Sequence, residues 1–232
     1  MMFKSLASSS HGNAYIVGDG STHILIECGL PYAKLNKAAN FKLHELSACL
    51  VSHEHKDHSK SVRDLICCGM PIYMSAGTAE ALETELVEVI EAGEQFTIGT
   101  LDVLPFSVFH DANEPLGFLI KSRVDGEVFV FATDTVNLRY RFPGLNTLAI
   151  ECNFDPKILE RSQKLPEKIK KRITNSHMSI DVLCEYLGEL DLSVCGKLYL
   201  LHLSDGMSDE WAFYERIKAI VPVGTKVIVC EK

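Results

Sequence analysis

Cys49-Leu50-Val51-Ser52-His53-Glu54-His55-Lys56-Asp57-His58 is the stretch that decides the fold of this chain. Side chains two apart on an extended segment point the same way, so His53 and His55 can address one metal ion. Asp57 and His58 follow where the chain turns, and they can face a second ion beside the first. The stretch therefore predicts a metal site built from imidazoles and carboxylates.

The residues on either side of this stretch predict its surroundings. Residues 48–51 are apolar or small and indicate a short buried strand, whereas a helical pattern begins at Ser59. A site at a strand end and a helix start is common in layered α/β proteins. Neutral imidazole with carboxylate suits zinc, manganese or iron. The alternative is a polar loop with chance histidines, which we disfavour because such a density of histidines has no structural purpose.

Composition sets the outer bounds of the interpretation. The chain has 232 residues, 47% of them hydrophobic and 23% charged, as in ordinary globular proteins. No linker or low-complexity tract interrupts it, so we predict one domain over residues 1–232. No apolar run reaches the roughly 18 residues that span a bilayer. Residues 1–5 lack the apolar core of a signal peptide, and the eight cysteines suit buried thiols in a reducing cytoplasm.

The hydrophobic pattern predicts an α/β fold of two groups of strands with helices outside them, a four-layer αββα sandwich. The predicted strands are 3–6, 14–17, 24–26, 48–51, 72–74, 101–106, 116–122, 128–132, 147–151, 198–201 and 226–229. One short helix is predicted to begin at Pro31. The other predicted helices cover 76–90, 156–162, 166–173, 180–190 and 211–220.

Further residues of ligand type follow the histidine-rich stretch in a recognisable order. The H-x-H-x-D-H element at 53–58, followed by His110, Asp134 and His202, resembles the metallo-β-lactamase superfamily across the whole chain. That resemblance implies two bound metal ions. The first would be held by His53, His55 and His110, the second by Asp57, His58 and His202, with Asp134 bridging them. An aspartate usually stands in the family where this chain has Glu27, which would support the site from behind the ligands.

Four further stretches resemble one branch of that superfamily, the YycJ/WalJ-type proteins. The branch is associated with 5′-to-3′ exonuclease action on DNA. The segment 176–179 before a helix also resembles the His-Ser/Thr element of the transfer-RNA 3′-processing endonucleases. The four stretches are residues 6–13 (LASSSHGN), 110–115 (HDANEP), 151–155 (ECNFD) and 176–179 (SHMS).

The chemistry expected of such a site is hydrolysis of a phosphodiester. Two cations about 3.5–4 Å apart can share a hydroxide for in-line attack on phosphorus and offset the charge that develops. We predict Asp57 and His177 as catalytic residues, with His177 serving the leaving oxygen because it lies outside the ligand set. A helix-capping or core histidine is the alternative for His177. Ser179 is a predicted N-cap of the next helix and would hold His177 at that helix start.

A basic stretch leads to His177 and predicts contacts with substrate phosphates. The stretch comprises Lys164, Lys168, Lys170, Lys171 and Arg172. Of these, Lys168, Lys171 and Arg172 are the predicted contacts that could hold phosphates in an otherwise acidic protein, and a solvated helix face is the alternative. The net charge of −8 argues against broad electrostatic binding of nucleic acid. The other predicted substrate contacts are Ser9, Asn13 and Asn153, each of which could instead close a turn or cap a helix.

These observations predict a cytoplasmic, dinuclear zinc or manganese phosphodiesterase that acts on nucleic acid. A DNA exonuclease is the first reading, with DNA favoured over RNA. A phosphodiesterase for a small or cyclic nucleotide is the second, since the acidic, compact chain also suits a small substrate. A thioester or lactam hydrolase leaves His177 and the basic stretch unexplained, and a non-catalytic metal-binding module leaves the full ligand set unexplained. No membrane association is expected, and a homodimer is compatible with the sequence.

Overall fold

The structure is a computed structural model that describes residues 1–230. Its strands form two sheets, one of six strands and one of seven. The described chain divides into two compact units. The first comprises residues 1–107 and 112–128, and the second comprises residues 108–111 and 129–230. The single domain expected over residues 1–232 stays a prediction.

The six-stranded sheet of the first unit carries the histidine-rich stretch on an interior strand. Its first three strands are antiparallel, and the pairs from β3 to β6 are parallel. The fourth strand is fully buried between its neighbours because each of its residues is apolar or small. In spatial order the strands are β1 (Met2–Ser9), β2 (Gly12–Gly18), β3 (His23–Ile26), β4 (Cys49–Leu50), β5 (Ile72–Met74) and β6 (Glu88–Val89).

Short helices cover this sheet. Leu35, Val62 and Leu65 are buried in one cluster with Leu25 of β3 and with Cys49 of β4. The histidine-rich stretch is therefore fixed between a buried strand and a packed helix, as its sequence predicts. The helices are α1 (Tyr32–Ala38), α2 (Lys56–Ser59), α3 (Val62–Cys67) and α4 (Ala76–Ala81), with a 3₁₀ turn at Leu43–Glu45.

The prediction of one helix over 76–90 is wrong in its second half. The helix starts as expected, because the Ser75 hydroxyl accepts a hydrogen bond from the backbone N–H of Thr78. It ends at Ala81, and Glu83 adopts a left-handed φ of 51°. Residues 88 and 89 then pair with β5 as a parallel edge strand. Apolar spacing alone did not distinguish this short helix and strand from one longer helix.

Three antiparallel strands complete the first unit. They are β7 (Phe96–Ile98), β8 (Leu101–Ser107) and β9 (Leu116–Ser122). The sequence predicted the second and third of them. The first was missed because three residues show no alternation that separates a strand from a loop.

The second unit joins parallel strands to helices. Its strands lie in the order β13 (Lys226–Val229), β12 (Lys197–Leu201), β11 (Leu145–Glu151) and β10 (Val128–Ala132), and β11, β12 and β13 are parallel. The predicted cap at Ser179 is confirmed, since its hydroxyl accepts from Val182 N–H at 3.2 Å. Among residues 1–230 no helix is long and apolar enough to cross a membrane. The helices are α5 (Pro156–Arg161), α6 (Glu167–Ser176), α7 (Ile180–Gly188) and α8 (Glu210–Lys218).

Candidate metal centre and active site

The histidine loop, residues 52–58, begins in the first unit where β4 ends. His53 is 1% exposed, and its Nδ1 lies 2.8 Å from the Ser52 hydroxyl. Its Nε2 lies 3.1 Å from Nδ1 of His55. Two ring nitrogens therefore converge, as the alternation of residues 53 and 55 predicts.

His58 ends the histidine loop, lies on the short helix α2 and is completely buried. Its Nε2 is 3.4 Å from Oδ2 of Asp57 and 3.2 Å from the amide nitrogen of Asn13. Its Nδ1 is 3.6 Å from Oε2 of Glu27. The same carboxylate oxygen accepts from the Ser52 N–H at 3.4 Å. Glu27 thus contacts both ends of the histidine loop, which is a supporting position.

A second set of ligand-type side chains meets in the second unit. His110 Nδ1 donates to the backbone oxygen of Ser176 at 2.7 Å, so Nε2 is the nitrogen available to a metal. That Nε2 is 3.5 Å from Oδ2 of Asp134. The other oxygen of Asp134 is 3.3 Å from Nδ1 of His202. Asp134 therefore lies between two imidazoles, one at each oxygen.

Glu151 is a site residue that sequence reasoning did not single out. It ends the apolar strand β11 and is completely buried. Its Oε1 accepts from His177 Nδ1 at 2.6 Å and lies 3.2 Å from His202 Nδ1. Its Oε2 accepts the backbone N–H groups of Thr135 and Met178 at 2.9 and 3.0 Å. The available signal was an acid directly after the buried apolar residues 148–150 of a strand.

The pairing of Glu151 with His177 outweighs the effect of burial. Burial disfavours the charged carboxylate, but the two imidazoles beside it lower the pKa of Glu151 below its ordinary value. Burial likewise disfavours a charged His177, yet the Glu151 carboxylate raises the pKa of His177 above its ordinary value. Ligand-type atoms of Asp134, Glu151, His177 and His202 all lie within 4.8 Å of one another.

Three site residues follow strands with left-handed backbone. The φ angles are 63° at Glu27, 45° at Asp134 and 54° at His202. None is glycine, so each conformation costs about 1–3 kcal/mol, and the surrounding packing must hold it. Strain of this kind concentrates at functional sites. The three strained residues are ones that the sequence predicts either as metal ligands, Asp134 and His202, or as support behind the ligands, Glu27.

The donor set fits divalent metal ions of the zinc and manganese class. Imidazole nitrogens and carboxylate oxygens occur together, whereas calcium and magnesium prefer oxygen alone. The outer nitrogens of three histidines are held by protein groups: His53 by Ser52, His110 by Ser176, and His202 by Glu151. Metal-binding histidines are oriented in this way.

Three of the predicted substrate contacts, Ser9, Asn13 and Asn153, are buried. Asn13 is completely buried, and its amide contacts the backbone oxygens of Ser9 and Asp57 as well as His58. Asn153 is also buried and donates to the backbone oxygen of His202 at 2.8 Å. Both amides therefore support the candidate site, and neither is placed to reach a large substrate. Ser9 is 4% exposed and closes the turn between β1 and β2, which is the alternative given above.

The basic stretch is only partly available. The Arg172 guanidinium donates to Asp111 at 2.7 Å, and Lys170 pairs with Glu167 at 3.0 Å. Lys168 and Lys171 are exposed. Lys171 and His177 both line one cavity.

Comparison with known proteins places this architecture in a family. The model of the β-lactamase superfamily domain matches residues 22–203. The chain belongs to this superfamily. The predicted α/β metallo-β-lactamase fold is thereby confirmed. Divalent metal binding is a property that this fold implies for the chain.

Two curated relatives of this superfamily carry a nuclease name. The chain is 29% identical over 219 residues to the exodeoxyribonuclease YycJ of Bacillus anthracis, covering 87% of this chain and 82% of that one. It is 31% identical over 218 residues to the exodeoxyribonuclease WalJ of Streptococcus pneumoniae, covering 86% and 80%. The resemblance to the YycJ/WalJ branch is confirmed, and the chain is a hydrolase of the superfamily.

Solved structures show the same superfamily fold at low identity. The metallo-β-lactamase fold protein YhfI from Bacillus subtilis matches with a TM-score of 0.75 at 18% identity, covering 99% of this chain and 95% of that one. The short form of human tRNase Z matches with a TM-score of 0.62 at 15% identity, covering 100% and 97%.

Proposed function

We propose that this chain hydrolyses phosphodiester bonds in nucleic acid and that DNA, degraded from an end, is its substrate. The observation that carries the proposal is Glu151, whose Oε1 contacts both His202 and His177. One carboxylate thus holds a predicted metal ligand and a predicted leaving-group donor. The names of the two curated relatives support DNA as the substrate.

The proposed metal ligands are those that the family resemblance implies. By that resemblance His53, His55 and His110 would hold one ion, Asp57, His58 and His202 would hold the other, and Asp134 would be a ligand to both. When bound, two divalent ions offset phosphoryl charge and raise the acidity of the attacking water. The protein contribution is orientation, because Ser52, Ser176 and Glu151 fix the outer nitrogens of His53, His110 and His202.

The contacts of His177 support its assignment to the leaving oxygen. Its Nδ1 is held by Glu151 at 2.6 Å, which leaves Nε2 to donate toward substrate. Its ring is 5.1 Å from that of His110 and 5.4 Å from that of His202, between centroids. The side chain is 16% exposed, so it is accessible from solvent while its orientation is fixed.

The test is hydrolysis of end-labelled linear DNA by protein loaded with zinc or manganese. Circular DNA of the same sequence, linear RNA and a cyclic mononucleotide are the comparison substrates. We expect linear DNA to be shortened from an end, with little cleavage of the circle. Rapid hydrolysis of the cyclic mononucleotide without cleavage of any linear polymer would contradict the proposal.

The role of His177 is tested with the variant His177→Ala. We expect metal content and fold to be retained and turnover to fall by roughly 10²–10⁴, the usual contribution of a proton donor. The exposed His44 provides the matched control His44→Ala. Loss of metal in His177→Ala would instead identify His177 as a ligand.

A further inference from the structure

A cavity of about 360 Å³ opens beside His177 within the second unit. Its wall is formed by parts of α5, α6 and α7. Five of its lining side chains are apolar: Val136, Phe154, Pro156, Leu159 and Val182. The remaining lining residues are polar or charged, with Glu160 and Glu167 among them. A cavity of this size with an apolar wall and polar groups beside it can hold a small molecule or a single residue of a polymer.

The polar part of this cavity has one uncommitted positive charge. Lys170 and Lys171 both line it. The ammonium of Lys170 is bound by the backbone oxygen of Glu160 at 3.1 Å and by the carboxylate of Glu167 at 3.0 Å. Lys171 has no hydrogen-bond or ion-pair partner among residues 1–230. The Glu160 carboxylate also lines the cavity. The apolar wall can hold a base, and Lys171 is the cation in the lining that can reach a phosphate.

We propose that this cavity receives the terminal nucleotide of the nucleic-acid substrate, the one whose 3′ oxygen departs. The base contacts the apolar wall that includes Phe154 and Val182, and the 5′-phosphate lies at Lys171. The inference rests on the proposed function, because His177 both lines the cavity and is assigned to the leaving oxygen. The group that leaves must then lie on the same side as His177.

The reaction balances with this placement. The oxygen of water bonds to phosphorus, and the bond from phosphorus to the 3′ oxygen breaks. The water gives up one proton and O3′ takes up one proton, so the number of protons is unchanged. The products are a nucleoside 5′-monophosphate in the cavity and a strand with a new 5′-phosphate. A cavity of about 360 Å³, near the lower limit for ligand sites, suits one nucleotide, which favours attack at a strand end.

The experiment measures binding of deoxyadenosine 5′-monophosphate to metal-loaded protein by titration calorimetry. Val182→Trp fills the cavity from α7, and Thr174→Trp fills it from the exposed side of α6. Two filling variants are used, so that a folding defect in one of them does not decide the result. Val194→Trp is the matched control, because Val194 is 54% exposed in the same unit and does not line the cavity. We expect both filling variants to weaken binding about tenfold or more and the control to bind as the wild type does.

The phosphate contact is tested separately with Lys171→Gln. We expect weaker binding of the 5′-monophosphate and unchanged binding of deoxyadenosine, which lacks the phosphate. On linear DNA the preference for a 5′-phosphate over a 5′-hydroxyl end should fall to about one. Lys157→Gln is the matched control, since Lys157 is an exposed lysine of neighbouring helix α5 outside the cavity lining.

The outcomes separate this inference from the proposed function. If linear DNA is degraded but both filling variants bind the monophosphate and degrade DNA as the wild type does, the cavity assignment is wrong and the nuclease function stands. Unchanged end preference in Lys171→Gln refutes the phosphate contact. If the filling variants lose monophosphate binding while the wild type cleaves no linear DNA, the cavity is a nucleotide site and the nuclease function is wrong.

Discussion

Replacing Glu151 by glutamine tests the connection between the candidate metal ligands and the candidate leaving-group donor. The carboxylate is buried and takes part in four contacts, two with backbone N–H groups at Oε2 and two with imidazole nitrogens at Oε1. Glutamine has almost the same shape but only one accepting oxygen. Its NH₂ group must therefore face either the backbone donors of Thr135 and Met178 or the rings of His177 and His202.

The size of the effect follows from these contacts. A hydrogen bond to a charged group contributes about 1.5–3 kcal/mol, and glutamine loses the acceptor for two of them. An imidazole that shifts its proton to the other nitrogen recovers part of this loss. We expect the free energy of unfolding to fall by about 2–4 kcal/mol, close to the lower range for breaking a buried charged contact. For a chain of this length that corresponds to a decrease in Tm of roughly 5–15 °C.

The assay is urea unfolding followed by circular dichroism, with hydrolysis of linear DNA measured in parallel. We expect turnover to fall by about 10²–10⁴, because a neutral amide no longer fixes the Nδ1–H of His177. Glu189→Gln is the control, since Glu189 pairs with Arg141 at the surface and its loss should cost no more than about 1 kcal/mol. A Glu151→Gln variant with the stability and turnover of the wild type would refute the reasoning.

Three other perturbations test the metal site and the first unit. Chelation should abolish hydrolysis and lower the Tm, and zinc or manganese at about a hundred times its Kd should restore roughly 2.7 kcal/mol of stability, measured by calorimetry. Gly29→Ala should weaken metal binding and lower the free energy of unfolding by about 1–3 kcal/mol, because the added β-carbon would overlap the Asp57 carbonyl. Metal content measures the first effect and urea unfolding measures the second. Burial disfavours the charged Asp19, but hydrogen bonds from Thr100 and neighbouring groups lower its pKa to about 2. Asp19→Asn should therefore lower the free energy of unfolding by about 1–2 kcal/mol at neutral pH, a value already discounted for solvent screening. That difference is fully present above the ordinary pKa of 3.8 and should disappear as the pH falls toward 2, as acid unfolding curves of both proteins would show.

The local part of the site could be predicted from the sequence, because it is encoded by spacing. His53 and His55 converge since they are two apart on extended chain, and Ser179 caps its helix through a contact three residues away. Each of these interactions joins residues of its own short segment. The helix that begins at Ala76 was predicted too long, since the left-handed turn at Glu83 depends on its surroundings and not on apolar spacing.

The supporting contacts could not be predicted, because each joins residues far apart in the chain. Glu151 meets His177 across 26 positions and His202 across 51. Asn13 meets His58 across 45 positions. The sequence left Asn13 and Asn153 open between a substrate contact and the closing of a turn or the capping of a helix. The structure buries both amides against the protein's own backbone and histidines.

The basic stretch before His177 shows how tertiary contacts change the meaning of a charge run. As a sequence, five cations near 164–172 suggest a surface that tracks a long backbone. In the structure Arg172 is bound to Asp111 and Lys170 to Glu167, while Lys171 lies at the cavity beside His177. A chain of net charge −8 with two of these cations paired attracts a polyanion weakly along its length. The proposed contact between Lys171 and a terminal phosphate favours a strand end over an internal site, because a strand end is the part of a nucleic acid that fits one cavity.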